Sequence, residues 1–269
     1  MQRPANILFG VAGWSYEDWK DVVYPRNCKD TLRAVAQRVD LIEINSSFYG
    51  PPPAKNCASW VERTVDLGTW FTAKLPHEFT HEQVFDDAFT AQVRAGFAPL
   101  CGSGRMLGFL AQFNYQFEHG ADALVLVDRL ARTFGADAPL VVEVRHRSWN
   151  EPAALQALGA MGVSVAALDY PGMGSGFSRE VTGVNGAAGL AYFRLHGRNP
   201  AWFQKDAGRD QVYDWEYSAR EVAQIETRLV RIAAGAQRTA VVANNHFHGK
   251  AMKLMDELLA WYRGGDATG

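Results

Sequence analysis

Three cysteines in 269 residues are too few, and too irregularly placed, for a disulfide framework or a cysteine-based metal site. Cys28, Cys57 and Cys101 are an odd number without ligand spacing, which predicts a reducing compartment and a cytoplasmic protein. Long hydrophobic runs are missing too. No stretch approaches the ~20 apolar residues that span a bilayer, so no membrane partner is expected. The opening MQRPANILFGVAGW lacks a signal-peptide layout, because its apolar run is short and reads as a first strand. Neither sign of charge dominates: 27 basic and 29 acidic residues leave a net charge of −2. That balance argues against a general polyanion binder and leaves room for a local basic patch. No Pro/Ser-rich linker or break in composition interrupts the chain, so residues 1–269 read as one domain.

Eight short apolar runs pace the sequence, at residues 7–14, 41–48, 70–76, 107–113, 140–146, 164–169, 191–197 and 239–247. Runs of this length, rich in Val, Ile, Leu and Phe, read as buried parallel strands. Helical spacing fills most intervals, over residues 29–39, 53–65, 121–134, 152–161, 214–234 and 251–263, with 214–234 expected as the longest helix. Thr80-His81-Glu82-Gln83 fits a capping box opening a helix toward Phe97, and Asn150 is the expected cap of the helix from Pro152. A βα unit repeated eight times predicts an α/β fold, the (β/α)8 TIM barrel, whose active sites gather at the C-terminal ends of the strands. The sixth unit is irregular: residues 169–189 are glycine-rich and carry no helical spacing. Its Gly172-Met173-Gly174-Ser175-Gly176 stretch is no Walker loop, since no Gly-Lys-Ser/Thr follows. A nucleophile elbow, a Ser-His-Asp order and a Rossmann fingerprint are likewise absent.

Side chains alternate along a strand, so parity sorts these runs into two faces. Glu43 and Asn45 lie opposite Ile42 and Ile44, Glu143 and Arg145 opposite Val142 and Val144, and Arg194 and His196 opposite Phe193 and Leu195. Lys74 lies opposite Ala73 and Leu75, Asn244 opposite Ala243, and Gln112 and Asp169 come late in their strands. Charges cannot sensibly meet the apolar helix layer, so this set is expected to face the barrel interior near its C-terminal rim. Arg145, Arg194 and Lys74 suit a phosphate or carboxylate, and Asn45, Gln112 and Asn244 suit a hydroxyl or carbonyl. Glu43, Glu143, Asp169 and His196 are the candidate acids and bases. The bland reading of the same set is an internal salt-bridge network. Apolar filling is often as stabilising as buried ion pairs, so ten polar groups from six or seven strands favour a ligand site. Trp202, in the loop with Arg198, Phe203, Lys205 and Arg209, is a further candidate for ligand contact.

The strings GVAGWSYEDW, EINSSFY, FTAKLPHEFTH, EVRHRSW, YFRLHGRN and the pair Asn244-Asn245, with Asp169 between, resemble the YecE-like family over nearly the whole chain. The resemblance implies a TIM barrel and supplies no activity. Shared motif positions are Glu43, Asn45, Ser46, Phe48, Tyr49, Lys74, Thr80, His81, Glu143, Arg145, Trp149, Arg194, His196, Gly197 and Asn244. Family members commonly carry a further Asn after the pair; here HFHGKAMKLMDEL follows without one.

The expected function is an enzyme or binder for a small phosphorylated or carboxylated molecule, held at the C-terminal rim without a cofactor or tightly bound metal. Two alternatives stand beside it. One is a metal-dependent phosphodiesterase or nuclease-like hydrolase, using Glu43, Glu143, Asp169 and His196 as ligands. The other is a non-catalytic nucleotide or nucleic-acid binder using the Trp202 loop. Nucleic acid is the less favoured partner, because net charge is slightly negative.

Overall fold

The computed structural model describes residues 5–171, 176–181, 184–186, 189–204 and 206–264. The Gly172–Ser175 part of the glycine stretch and Lys205 lie outside these residues. The strands are β1 (Ile7–Ala12), β2 (Leu41–Ile44), β3 (Trp70–Lys74), β4 (Met106–Gln112), β5 (Leu140–Glu143), β6 (Ser164–Val165), β7 (Ala167–Asp169), β8 (Leu190–Leu195) and β9 (Arg238–Ala243). All pair in parallel, in the order β6-β5-β4-β3-β2-β1-β9-β8-β7. The two ends of that ladder are halves of one strand, parted at Ala166. Its first half pairs with β5 and its second with β8. The sheet therefore closes on itself, and the fold is the TIM barrel expected from the sequence.

The surrounding helices are α1 (Thr31–Ala36), α2 (Ala54–Thr64), α3 (His77–Thr80), α4 (Asp87–Gly102), α5 (Ala121–Phe134), α6 (Pro152–Ala160), α7 (Arg209–Val212), α8 (Ala219–Ala233) and α9 (Lys250–Arg263). The strands are apolar toward this layer: Phe9, Ile42, Phe71, Phe109, Val142, Phe193 and Val241 are at most 1% exposed. Each such side chain contributes roughly 1.5–3 kcal/mol on burial. Between β7 and β8 no helix occurs among the described residues, where the sequence carries no helical spacing.

Three local expectations fail for identifiable reasons. The capping box at Thr80 does not form, because Thr80 is the last residue of α3 and its Oγ1 bonds His81 Nδ1 at 3.0 Å. The longer helix begins after Asp86, whose carboxylate accepts from Phe89 N at 2.7 Å, a better cap. Asn150 does not cap α6; its side chain accepts from Ser178 N at 2.7 Å and donates to Gly176 O at 3.2 Å, pinning the segment after β7. The helix expected over 214–234 starts instead after Ser218, where Ser218 and Glu221 form a reciprocal capping box, and α4 is longer.

Candidate active site at the barrel mouth

Residues paired across a parallel ladder share a face, so the register shows which side chains converge. Glu43 pairs with Thr72, Gln112 with Glu143, Lys74 with Leu110, and Arg194 with Val242. All of these face the interior. Asp169 pairs with Leu195, on the opposite face from Arg194, and so does not.

Arg194 is the hub of the inward set. Its Nη2 and Nε donate to the two Glu43 oxygens at 2.6 and 3.1 Å, and its Nη1 reaches Glu143 Oε2 at 2.5 Å and Gln112 Oε1 at 3.1 Å. Arg194, Glu43 and Glu143 are fully buried. Glu43 also accepts from Tyr192 OH at 2.9 Å, and Tyr192 is bonded in turn to Thr72 at 2.7 Å. Glu143 accepts at Oε1 from Arg145 Nε and Nη2, at 3.0 and 2.7 Å. Burial alone would raise the Glu143 carboxyl, but Arg194 and Arg145 outweigh it and hold the group well below the usual carboxylate range. Burial, reinforced by Glu43, pushes the Tyr192 phenol far up, so it stays a donor.

His196 closes the floor. Its Nε2 lies 3.5 Å from Glu143 Oε1 and its Nδ1 lies 3.1 Å from Asn244 Nδ2. These contacts fit a neutral ring with its proton on Nε2, facing the carboxylate, and the Asn244 amide donating to Nδ1. Burial pushes the imidazole down to about 4 despite the opposing pull of Glu143, so it is neutral near pH 7. Gly197 makes the turn that follows: its φ is 84°, and a Cβ there would sit 2.6 Å from Trp215 Cβ. Its N–H donates to Tyr217 OH at 3.0 Å.

Above this floor stand groups that retain access to solvent. Lys74, Gln112, Arg145, Asn45 and Trp202 are partly exposed. The Lys74 amine stands 5.6 Å from the Phe48 ring centre and makes no hydrogen bond among the described residues. Crowding by protein atoms, with Arg194 beside it, pushes that amine down to about 7. Trp202 bridges the mouth, its ring centre 5.5 Å from that of His196 and 5.4 Å from the Arg145 guanidinium. The Trp202 Nε1 and the Asn45 Oδ1 are buried atoms without a hydrogen-bond partner among the described residues. A cavity of about 290 Å³, lined by Trp14, Tyr16, Asn45 and Tyr49, adjoins the rim at the end of β2.

Of the residues expected from the sequence, Glu43, Lys74, Gln112, Glu143, Arg145, Arg194, His196 and Asn244 come together, with Trp202 above them. Asp169 does not join them. It is held between Arg198, at 2.8 Å through both Nε and Nη2, and Arg228 Nη1 at 2.8 Å, with Tyr217 OH at 3.1 Å. Arg228 belongs to α8, so Asp169 looks into the helix layer; a buried ion pair satisfies a charge expected inside because an apolar helix layer could not hold it. Arg198, expected beside Trp202, is drawn away to the same carboxylate. Tyr192 and Thr72 were not foreseen, although Tyr192 shares the parity of Arg194. Arg228 gave no signal, being one arginine in an amphipathic helix.

Glu43 and Glu143 are linked through Arg194, with His196 beside Glu143, and Asp169 is on the other face of the barrel wall. Among the described residues no three His, Cys, Asp or Glu side chains form a set able to hold a metal ion. No described helix is long and apolar enough to cross a membrane.

Residues 8–265 match the family described as protein of unknown function DUF72. The chain belongs to the DUF72 family. Its YecE-like strings all fall inside that span. A UPF0759 protein of Bacillus subtilis, YunF, is 26% identical over 277 residues, covering 94% of each chain. A solved DUF72 protein of Thermotoga maritima is 26% identical with a TM-score of 0.85, covering 96% of this chain and 99% of its own. Another, from Enterococcus faecalis, is 22% identical with a TM-score of 0.83, covering 96% and 95%. The two solved DUF72 proteins share this fold over nearly the whole chain.

Proposed function

We propose that the barrel mouth is an active site for a small phosphorylated or carboxylated molecule, with Lys74 as the group that exchanges a proton with it. One observation carries the reading: the buried charges are saturated by one another, whereas the open ones above them are not. Glu43 accepts three hydrogen bonds and Arg194 donates four. Arg145 gives Nε and Nη2 to Glu143 and would offer Nη1 to a ligand beside Tyr115. Arg145 Nη1, Lys74 Nζ and the Trp202 indole N–H would be the donors offered to a ligand at the mouth, which suits an anionic oxygen. The carboxylates beneath supply a fixed negative field, while the proton-moving task falls to an amine near its midpoint at neutral pH.

Arg145 would bind the anion and Lys74 would take or give the proton, with Trp202 excluding water. Asn45 would orient a hydroxyl from the rim. Glu43, Glu143, His196 and Asn244 hold Arg194 and Arg145 in place, so their part is to fix geometry and potential.

The experiment is a calorimetric screen of phosphorylated and carboxylated metabolites against wild type, Lys74→Met and Arg145→Ala. A ligand of this site should bind saturably, weaken by roughly tenfold or more in each variant, and lose affinity as pH rises through 7. A ligand indifferent to both substitutions would refute the reading. So would about one equivalent of metal in the purified protein that disappears in Glu143→Ala, which would instead support a metal-dependent hydrolase.

A further inference from the structure

Beside the sixth unit, where no helix occurs among the described residues, these residues form a cleft lined by arginine. A cleft of about 580 Å³ lies between α8 and the segment carrying Arg179 and Glu180. Arg220, Arg228 and Arg231 line it from α8 and Arg198 from the loop after β8. Positions 220, 224, 228 and 231 recur at helical spacing, so one face of α8 presents arginine over roughly 16 Å. Five arginines line the cleft against two carboxylates, Asp169 and Glu180.

Asp169 is already occupied by Arg198 and Arg228. Arg179, Arg220 and Arg231 have no carboxylate partner among the described residues. Arg228 is 8% exposed; it bonds Asp169, Leu168 O and Arg179 O, and its buried Nε has no hydrogen-bond partner among the described residues. Arg220 and Arg231 are exposed and solvated, while Arg198 pairs with Asp169 and Glu221; the like charges left over on one concave wall make a positive field that favours an anion. The rest of the lining narrows the chemistry. Ala223, Gln224 and Thr227 are short and none is aromatic, so nothing here would stack a base. The cleft is concave and within the size range of small-molecule sites.

We infer that this cleft is a second anion site, distinct from the barrel mouth, for a compact ligand bearing two or more phosphoryl groups and no aromatic ring. The guanidinium forks of Arg220 and Arg231 would grip phosphoryl oxygens at the two ends, and Arg179 would approach from across the cleft. The site backs onto the mouth through the chain itself. His196 faces inward, Gly197 turns, and Arg198 faces the cleft, with Tyr217 bonding both Gly197 N and Asp169.

The test uses inorganic pyrophosphate as probe, titrated calorimetrically at low ionic strength into wild type, the Arg220→Glu/Arg231→Glu double variant and Arg145→Ala. Both substituted α8 positions are exposed, and an unchanged melting temperature shows that the double variant folds. The expected result is a saturable pyrophosphate site that is roughly tenfold or more weaker in the double variant and is retained in Arg145→Ala, whatever is lost at the mouth. Absence of binding at millimolar pyrophosphate would overturn the inference. Binding lost in Arg145→Ala but kept in the double variant would place the anion at the mouth instead. An unstructured oligonucleotide that binds tighter than pyrophosphate would make the face a nucleic-acid surface and also overturn it.

Discussion

Replacing Lys74 by Met should stabilise the protein below neutral pH and change little in strong alkali. The amine titrates near 7 in the folded protein against an ordinary 10.5, so folding disfavours its charged form. Between those two values the unfolded chain binds the extra proton, and stability therefore rises with pH across that window. Below about 7 the folded protein carries the whole cost of an ammonium confined beside Arg194 and Arg145. At ~1.4 kcal/mol for each pH unit the ceiling is about 5 kcal/mol. Because Lys74 is partly exposed, water relieves much of this, and roughly 2 kcal/mol is the expected gain for Met at pH 6. Methionine has a similar length and would lie against Phe48 without leaving a void. Urea unfolding of wild type and variant at intervals from pH 6 to 10 measures the difference directly. It should shrink steadily toward zero as pH approaches 10. A constant difference, or a variant less stable at pH 6, would mean that Glu43 and Glu143 welcome the charge, and the proposed proton-exchanging role would fall with it. The gain in stability should come with loss of ligand binding, the usual trade at a functional site.

Three further outcomes follow from the buried network. Arg194→Met strands Glu43 and Glu143 without their shared cation, and should cost roughly 3–5 kcal/mol in denaturant unfolding; a cost under about 1 kcal/mol would show that the carboxylates find other partners. Glu143 is held ionised well below its ordinary 4.5, so its stabilising contribution is complete above that pH and is lost as the solution becomes more acid. Glu143→Gln should accordingly flatten the acid limb of the stability profile, and an unchanged limb would contradict the assignment. Gly197→Ala combines a φ of 84° with a contact on Trp215, and should lower the unfolding free energy by roughly 1–3 kcal/mol; a neutral effect by thermal melting would mean that the turn after β8 relaxes freely.

The barrel was legible because it rests on repetition. Each apolar run is buried on the helix side, and the positions between them reach the interior, so period and parity carried Glu43, Glu143, Arg194 and His196 to the right place. The expectation failed at Asp169, placed inward only because it is charged and late in its strand, since Arg228, 59 residues on in α8, makes the helix layer hospitable to a carboxylate. No local pattern announces such a partner. The capping box at Thr80 failed similarly: Thr-x-x-Gln satisfies the spacing, but a buried Thr80 turned toward His81 leaves the cap to Asp86. Roles were harder to read than positions. Arg194 looks in sequence like a ligand-gripping arginine, and only the distances show that its donors are already engaged.

The break at Ala166 also bears on how the barrel is assembled. Strands β1 to β6 form a continuous run of neighbours in chain order, and β7, β8 and β9 form another. Ala166 is the covalent hinge between the two sets, and their other junction is the β1–β9 ladder, which joins Ile7 to Thr239. That ladder closes a loop of more than two hundred residues, whereas every other pairing joins near neighbours, so it is the entropically expensive step and the one expected to form late. A chain cleaved at Ala166 would leave two sheets, each with its internal pairings intact and each exposing the edges that the other covers. Such halves should reassemble without a covalent link, as two pieces of a barrel that evolution could have exchanged, duplicated or rejoined at this residue.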